Sequence, residues 1–138
     1  MTLVRKIAAI YAVLLAIAAL TNYLPGLTDA QGRAFGIFEL DIYDDALHLA
    51  SAAWAAIAAY LSTRAATRFL RLFGTLYLLD GLMGLAVGSG YLDLGILIYG
   101  VQHLPFGFKI LANLPHVALG GFAVLAGFTL APRQEVPA

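Results

Sequence analysis

The sequence predicts an all-α membrane protein, a bundle of four transmembrane helices, and three observations carry that reading. Hydrophobic residues make up 62% of the 138-residue chain and charged residues only 12%, with a mean hydropathy of +0.86; a soluble domain has about 25% charged residues. The apolar residues fall into four blocks, about 7–24, 46–61, 72–91 and 114–131. Crossing the hydrocarbon layer takes roughly 20 helical residues, with a lower limit near 17. Finally, the charges alternate by side: basic residues follow even blocks and precede odd ones, and acids fill the remaining connections. The whole chain, 1–138, reads as one transmembrane domain with long loops at 25–45 and 92–113.

The first block follows Arg5-Lys6. Ala16-Ile-Ala18 resembles a signal cleavage site, but the block is read as a retained membrane helix. Pro25-Gly26 ends it, and Phe35-Gly36-Ile37-Phe38 is the one strongly apolar stretch of the first loop. Lipid-exposed irregular backbone is excluded from the hydrocarbon layer, so each long loop is expected to be an interfacial helix or a cap over the bundle mouth. Block two opens at Asp45, a good N-cap with His48 three residues on. Its length is marginal, with Asp45 and Ser62 at the interfaces. Arg64, Arg68 and Arg71 occupy a short turn before block three, which carries Asp80 near its middle. The second loop contains His103 and Pro105-Phe106-Gly107-Phe108, and block four opens at Asn113 with Pro115 in its first turn and His116 after it.

Arg5, Lys6, Arg64, Arg68, Arg71 and Arg133 fall on one side of this arrangement. Asp29, Glu39, Asp41, Asp44, Asp45 and Asp93 fall on the other, against only Arg33 and Lys109. Excess Lys and Arg marks the cytoplasmic face. Both termini are therefore expected in the cytoplasm, in a bacterial inner membrane, with the lipid bilayer and other transmembrane helices as partners. Zero net charge points to no nucleic acid. With no cysteine, disulfides and thiolate metal sites are excluded.

An internal echo runs through the chain. Asp45-Ala-Leu-His48 and Asn113-Leu-Pro-His116 both open apolar blocks, 68 residues apart; Arg5 and Tyr11 recur as Arg71 and Tyr77, 66 residues apart. A duplicated two-helix unit follows, with a pseudo-twofold axis along the membrane normal, an arrangement that places sites at the repeat interface. Small residues lie on the faces of His48 (Ser51, Ala52, Ala55, Ala59) and His116 (Gly120, Ala123, Gly127). Such residues mark the packed side of a membrane helix, so both imidazoles should point inward at equal depth.

Two inward imidazoles could hold one metal ion or clasp a haem, and one alone could ligate a chlorophyll. His103 and Asp45, with Asp41 and Asp44, extend the candidate metal set beyond His48 and His116. The plainer reading has each histidine completing a capping arrangement, in the place of a capping-box Glu or Gln. Asp80 is a costly mid-membrane carboxylate, expected about 9 Å deeper than His48 by helical rise. It is read as hydrogen-bonded through Tyr11, Tyr60 or Thr75, without a basic partner.

The motifs Phe35-Gly36-Ile37-Phe38, Asp45-Ala-Leu-His48-Leu49 and Asn113-Leu-Pro-His116 resemble a group of small bacterial four-helix membrane proteins of unknown function. The likeness runs from Arg5 to Phe128. In that group histidines open helices two and four, and a His-Asn pair precedes the first of them. Here Asp44-Asp45 stands in place of that pair. The resemblance implies a four-helix bundle and no particular activity.

The leading expectation is a non-catalytic accessory or structural subunit of a larger membrane assembly, in a hetero-complex or homo-oligomer. Gly81, Gly84, Gly88, Gly120 and Gly121 would supply the docking faces. A cofactor-binding module using His48 and His116 is the alternative. A transporter or embedded enzyme ranks last, because no Ser has a base at a defensible spacing.

Overall fold

The computed structural model describes residues 1–131; Arg133, part of the charge argument, lies outside them. The order is α1 (Leu3–Leu20), a 3-10 turn (Thr21–Tyr23), α2 (Ile42–Leu61), α3 (Thr63–Val87), a short α4 (Gly95–Ile98) and α5 (Phe106–Thr129). Three segments are long and apolar enough to cross a membrane: Leu3–Tyr23, Thr63–Val87 and Phe106–Thr129. The 20-residue α2 is not among them, because Asp44, Asp45, His48 and Ser51 dilute its first half. The described residues thus hold three helices of clear span character, plus α2, of span length but with a polar entrance.

Local chemistry moves several helix boundaries from where periodicity put them. Asp41, not Asp45, caps α2: its side chain accepts from the N–H groups of Tyr43 and Asp44, and the Asp44 carboxylate accepts from the Asp41 N–H at 3.1 Å. Such a reciprocal cap satisfies orphan donors of the first turn. Ser62 is the entire connection from α2 to α3. Its extended backbone (φ −168°) stops α2, and its hydroxyl accepts from the Ala65 N–H at 3.1 Å to start α3. The three arginines expected in a turn therefore ride on α3 itself. Gly88, left-handed at φ 83°, ends α3, as a helix C-terminus favours. α5 starts after Pro105, so Asn113 and His116 lie well inside it and neither is at a cap. Pro115 is interior too, where it removes one helical hydrogen bond.

The helices associate as two pairs, α1 with α2 and α3 with α5, and α3 also touches both members of the first pair. Alanine lines the first seam, with Ala8, Ala52, Ala55 and Ala59 buried. Glycine lines the second. A Cβ on Gly74 would meet the Val124 nitrogen at 2.6 Å, and one on Gly81 the Val117 nitrogen at 2.9 Å. Gly84 faces Asn113 and Gly120 faces Leu78 in the same way. Of the glycines read as docking faces, Gly81, Gly84 and Gly120 are consumed inside this helix pair and Gly88 faces Gln102, while Gly121 has no neighbour within 4 Å. Close backbone approach is a main source of affinity between helices in lipid.

The two pairs are tied by matching contacts. Arg5 donates through Nε to the Ala59 carbonyl at 2.7 Å, and Arg71 through Nε to the Gly127 carbonyl at 2.8 Å. Tyr11 crosses to the second pair and donates to the Leu119 carbonyl at 2.6 Å. Tyr77 crosses the opposite way and ends beside Ser51, without hydrogen-bonding geometry. Between them Phe69, Phe73 and Tyr77, four residues apart on α3, form an aromatic column with centroids 5.0 and 4.1 Å apart. Outward faces carry large apolar side chains, among them Ile10, Val13, Leu76, Leu79, Phe122 and Leu125. A face of that extent suits contact with lipid.

Candidate functional site

The aromatic column leads upward to the two histidines. The ring of His116 lies 4.9 Å from that of Tyr77 and 6.3 Å from that of His48, centroid to centroid. His48 is buried, and the His116 side chain is 22% exposed.

Each ring is anchored by Nδ1. For His48 the partner is the Asp44 carbonyl, one turn earlier on α2, at 2.7 Å. A carbonyl only accepts, so Nδ1 carries the hydrogen and Nε2 of the neutral ring keeps its lone pair. For His116 the partner is Asp80 Oδ2, also at 2.7 Å. Asp80 Oδ1 already accepts from the N–H groups of Tyr91 (2.7 Å) and Leu92 (2.9 Å). The carboxylate acts as acceptor throughout, and His116 Nδ1 is again the donor. Neither Nε2 has a protein hydrogen-bond partner among the described residues.

Asp80 thus has the basic partner that sequence reading denied it. Helix α3 ends at Val87, seven residues beyond Asp80, so the carboxylate sits about 10 Å below the helix end by rise. The segment after Gly88 then folds back to place two N–H groups on it. Gly90 permits this return, because a Cβ there would stand 2.6 Å from Asp80 Oδ1. Neither Tyr11, Tyr60 nor Thr75 bonds to Asp80; the Gly88-Ser89-Gly90 break was the sequence signal that the chain re-enters here.

Two cavities meet at His116. The outer, about 320 Å³, is lined by Asp44, Asp80, Asp93, Asn113 and His116 and roofed by Ile37 and Phe38 of the first loop. That loop is a folded cap, held by backbone bonds such as Ala34 N to Phe38 O at 2.8 Å and by the Arg33–Asp29 ion pair at 2.9 Å. Burial pushes the Asp44 carboxyl, ahead of the apolar part of α2, up to about 8; Asp93 and Asp41 add to this and the Asp41 N–H opposes it. The inner cavity, about 160 Å³, is mostly apolar, and its polar groups include His48, His116 and Tyr77. Tyr77 is 2% exposed, and its hydroxyl has no hydrogen-bond partner among the described residues.

The wider metal set does not assemble. Asp45 turns toward the 3-10 turn after α1 and accepts from the Tyr23 hydroxyl at 2.9 Å, because α2 already runs through it and presents Asp44, not Asp45, beside the cavity. His103 is exposed and lines neither cavity. Among the described residues no three His, Asp or Glu side chains form a metal-holding cluster. The inner cavity is also small against the roughly 300–1,000 Å³ of organic-ligand sites, so no tetrapyrrole fits between the rings as they stand.

The chain matches no protein-family model, no curated protein and no solved structure. The functional argument therefore rests on this geometry.

Proposed function

We propose that this protein is a non-catalytic integral membrane module that carries a small ligand between His48 and His116 and serves as an accessory subunit to other membrane proteins. One observation carries the reading. Both rings are fixed through Nδ1 while both Nε2 atoms are left without a protein partner, beside a shared cavity. Side-chain anchoring of this kind pre-organises a binding constellation and lowers the ordering cost of binding.

In the same proposal α2 crosses the bilayer with the other three helices. It runs between the ends of α1 and α3, and its apolar part, about 46–61, is the crossing segment, with Asp44 ahead of it at the interface. The basic end, where Thr2 and Thr63 hydroxyls meet at 3.0 Å, faces the cytoplasm by the positive-inside rule. The paired arginines, Arg5 on Ala59 and Arg71 on Gly127, support descent from a duplicated two-helix unit: both acceptors and both histidines are offset by 68 residues.

The test is purification from native membranes in mild detergent, followed by mass spectrometry of released molecules and elemental analysis. The wild type should carry a stoichiometric ligand and co-migrate with other membrane proteins. The His48→Ala/His116→Ala protein should lose the ligand. A folded wild type with no ligand at all would end the carrier reading, and migration as a lone monomer would end the accessory one. For orientation, cysteine at position 29 or 93 should react with an impermeant thiol reagent in intact cells, and cysteine at 64 should not.

A further inference from the structure

We infer that the ligand is a single late first-row transition-metal ion, copper before zinc, bound by Nε2 of His48 and Nε2 of His116 with the Tyr77 hydroxyl as a third polar neighbour. This rests on the carrier reading above and names its ligand class.

Four observations support it. Metal-ligating histidines almost always donate their other ring N–H to a carboxylate or a backbone carbonyl, which fixes the tautomer and raises ligand basicity. This site has one of each: Asp80 behind His116 and the Asp44 carbonyl behind His48. Next, the centroid separation is 6.3 Å. Two metal–nitrogen bonds of roughly 2.0–2.1 Å, plus the distance from each ring centre to its nitrogen, sum to about 6 Å. The third is the Tyr77 hydroxyl, buried without a partner beside the same cavity. An unsatisfied buried polar group in a native structure calls for an unseen partner such as an ion or water. Last, the 160 Å³ cavity has room for an ion with a water or one small exogenous ligand, and too little for a macrocycle.

The donor set selects the metal. Imidazole nitrogen suits copper, zinc, iron and nickel, whereas magnesium and calcium want oxygen donors, and affinity peaks at copper along the divalent series. A structural zinc site would require four protein ligands, and here two imidazoles and a phenol leave the ion open on one side. The outer cavity, sharing His116 with the inner one, gives a route of entry. Asp93 and Glu39 on its walls attract cations toward it.

The experiment is titration of the full-length, metal-stripped protein in mild detergent with Cu(I) against a competing chelator, and with Cu(II), Zn(II), Ni(II) and Mg(II) separately. One equivalent of copper should bind, with X-ray absorption showing nitrogen scatterers at about 2 Å. His48→Ala and His116→Ala should each weaken binding more than 100-fold. Asp80→Asn, whose one carbonyl oxygen can still accept from the loop N–H groups while its NH2 replaces the acceptor of His116 Nδ1, should weaken it about 10- to 100-fold as loss of an outer partner does. Circular dichroism melts of each variant separate ligand loss from unfolding, and His48→Asn and His116→Asn provide second variants where alanine fails to fold. Copper binding unchanged in folded histidine variants, or Mg(II) competing equally, overturns the assignment. If the protein from native membranes carries an organic molecule lost in the histidine variants, the metal assignment falls and the carrier reading stands. If it carries neither, both fall.

Discussion

The α1/α2 pair and the α3/α5 pair share a framework and differ in what they carry. Each has an arginine on the first helix donating to a carbonyl near the end of the second, and a tyrosine six residues later buried in the centre. Each also sets one histidine on its second helix. Yet Asp80 in the second pair has Leu14 as its counterpart in the first, and Leu14 is 44% exposed. His48 accordingly leans on its own helix backbone, while His116 leans on a carboxylate from a neighbouring helix. The seams differ too, alanine in one and glycine in the other. The lesson is that the framework contacts can recur while polar chemistry concentrates in one half, where glycine packing brings the helices closest.

The largest test of that contrast makes the second pair resemble the first. Asp80→Leu strips the acceptor from His116 Nδ1 and from the Tyr91 and Leu92 N–H groups together. Leaving N–H donors buried without an acceptor costs about 1–3 kcal/mol each, so thermal unfolding in detergent should show a large fall in midpoint, far beyond that of Leu14→Ala. Comparable effects at the two positions would erase the distinction between the halves.

The seams give a smaller effect. Gly120→Ala pushes a methyl against the Leu78 backbone nitrogen, and overpacking of this kind costs about 1–3 kcal/mol. Ala55→Gly in the other seam removes a methyl and adds helix flexibility, at about 1 kcal/mol. The glycine variant should also separate α3 from α5 and lengthen the His116–Asp80 bond, read as a shifted imidazole resonance by NMR. An Ala55 variant that moves that resonance as much would show the two seams to be mechanically one.

A pH-dependent effect lies where the halves meet at the mouth. Asp44 comes from the first pair and Asp93 from the segment leading to the second. Because the folded carboxyl of Asp44 titrates near 8, above the ordinary carboxylate value of about 4, folding favours its protonated form. That contribution is complete below the ordinary value and is lost as pH rises through about 8. Melting midpoints should drop between about pH 4 and 8 in the wild type, and less steeply in Asp44→Asn, which can still accept from the Asp41 N–H. Parallel slopes would remove Asp44 from the account.

Much of this architecture was legible in the residues. Composition gave the membrane class, since 62% hydrophobic residues cannot be covered by polar surface. Helical spacing from His48 through Ser51, Ala52, Ala55 and Ala59 showed a packed face, and all five residues are buried. The 66- and 68-residue offsets pointed to the arginine, tyrosine and histidine correspondences. These are properties of one helix at a time, or of one segment compared with another, and periodicity records them because each side chain's direction follows from 3.6 residues per turn.

Other features came only with the assembled chain. Asp80 reads as an isolated carboxylate because its partner is 36 residues away in sequence and its other donors are backbone groups, which leave no mark in residue identity. Those glycines looked like free surface because their own helix says nothing about which neighbour fills the space; Gly84 and Gly120 turned out to face α5 and α3. Nor could spacing separate a cap from an interior position at Asp45 or Asn113, since local hydrogen bonding at Asp41 and the stop at Pro105 set where those helices begin. Short-range backbone geometry determined the class and the inward faces. Long-range packing decided which inward groups meet, because contact between helices depends on the fit of two surfaces and neither surface is encoded in the other.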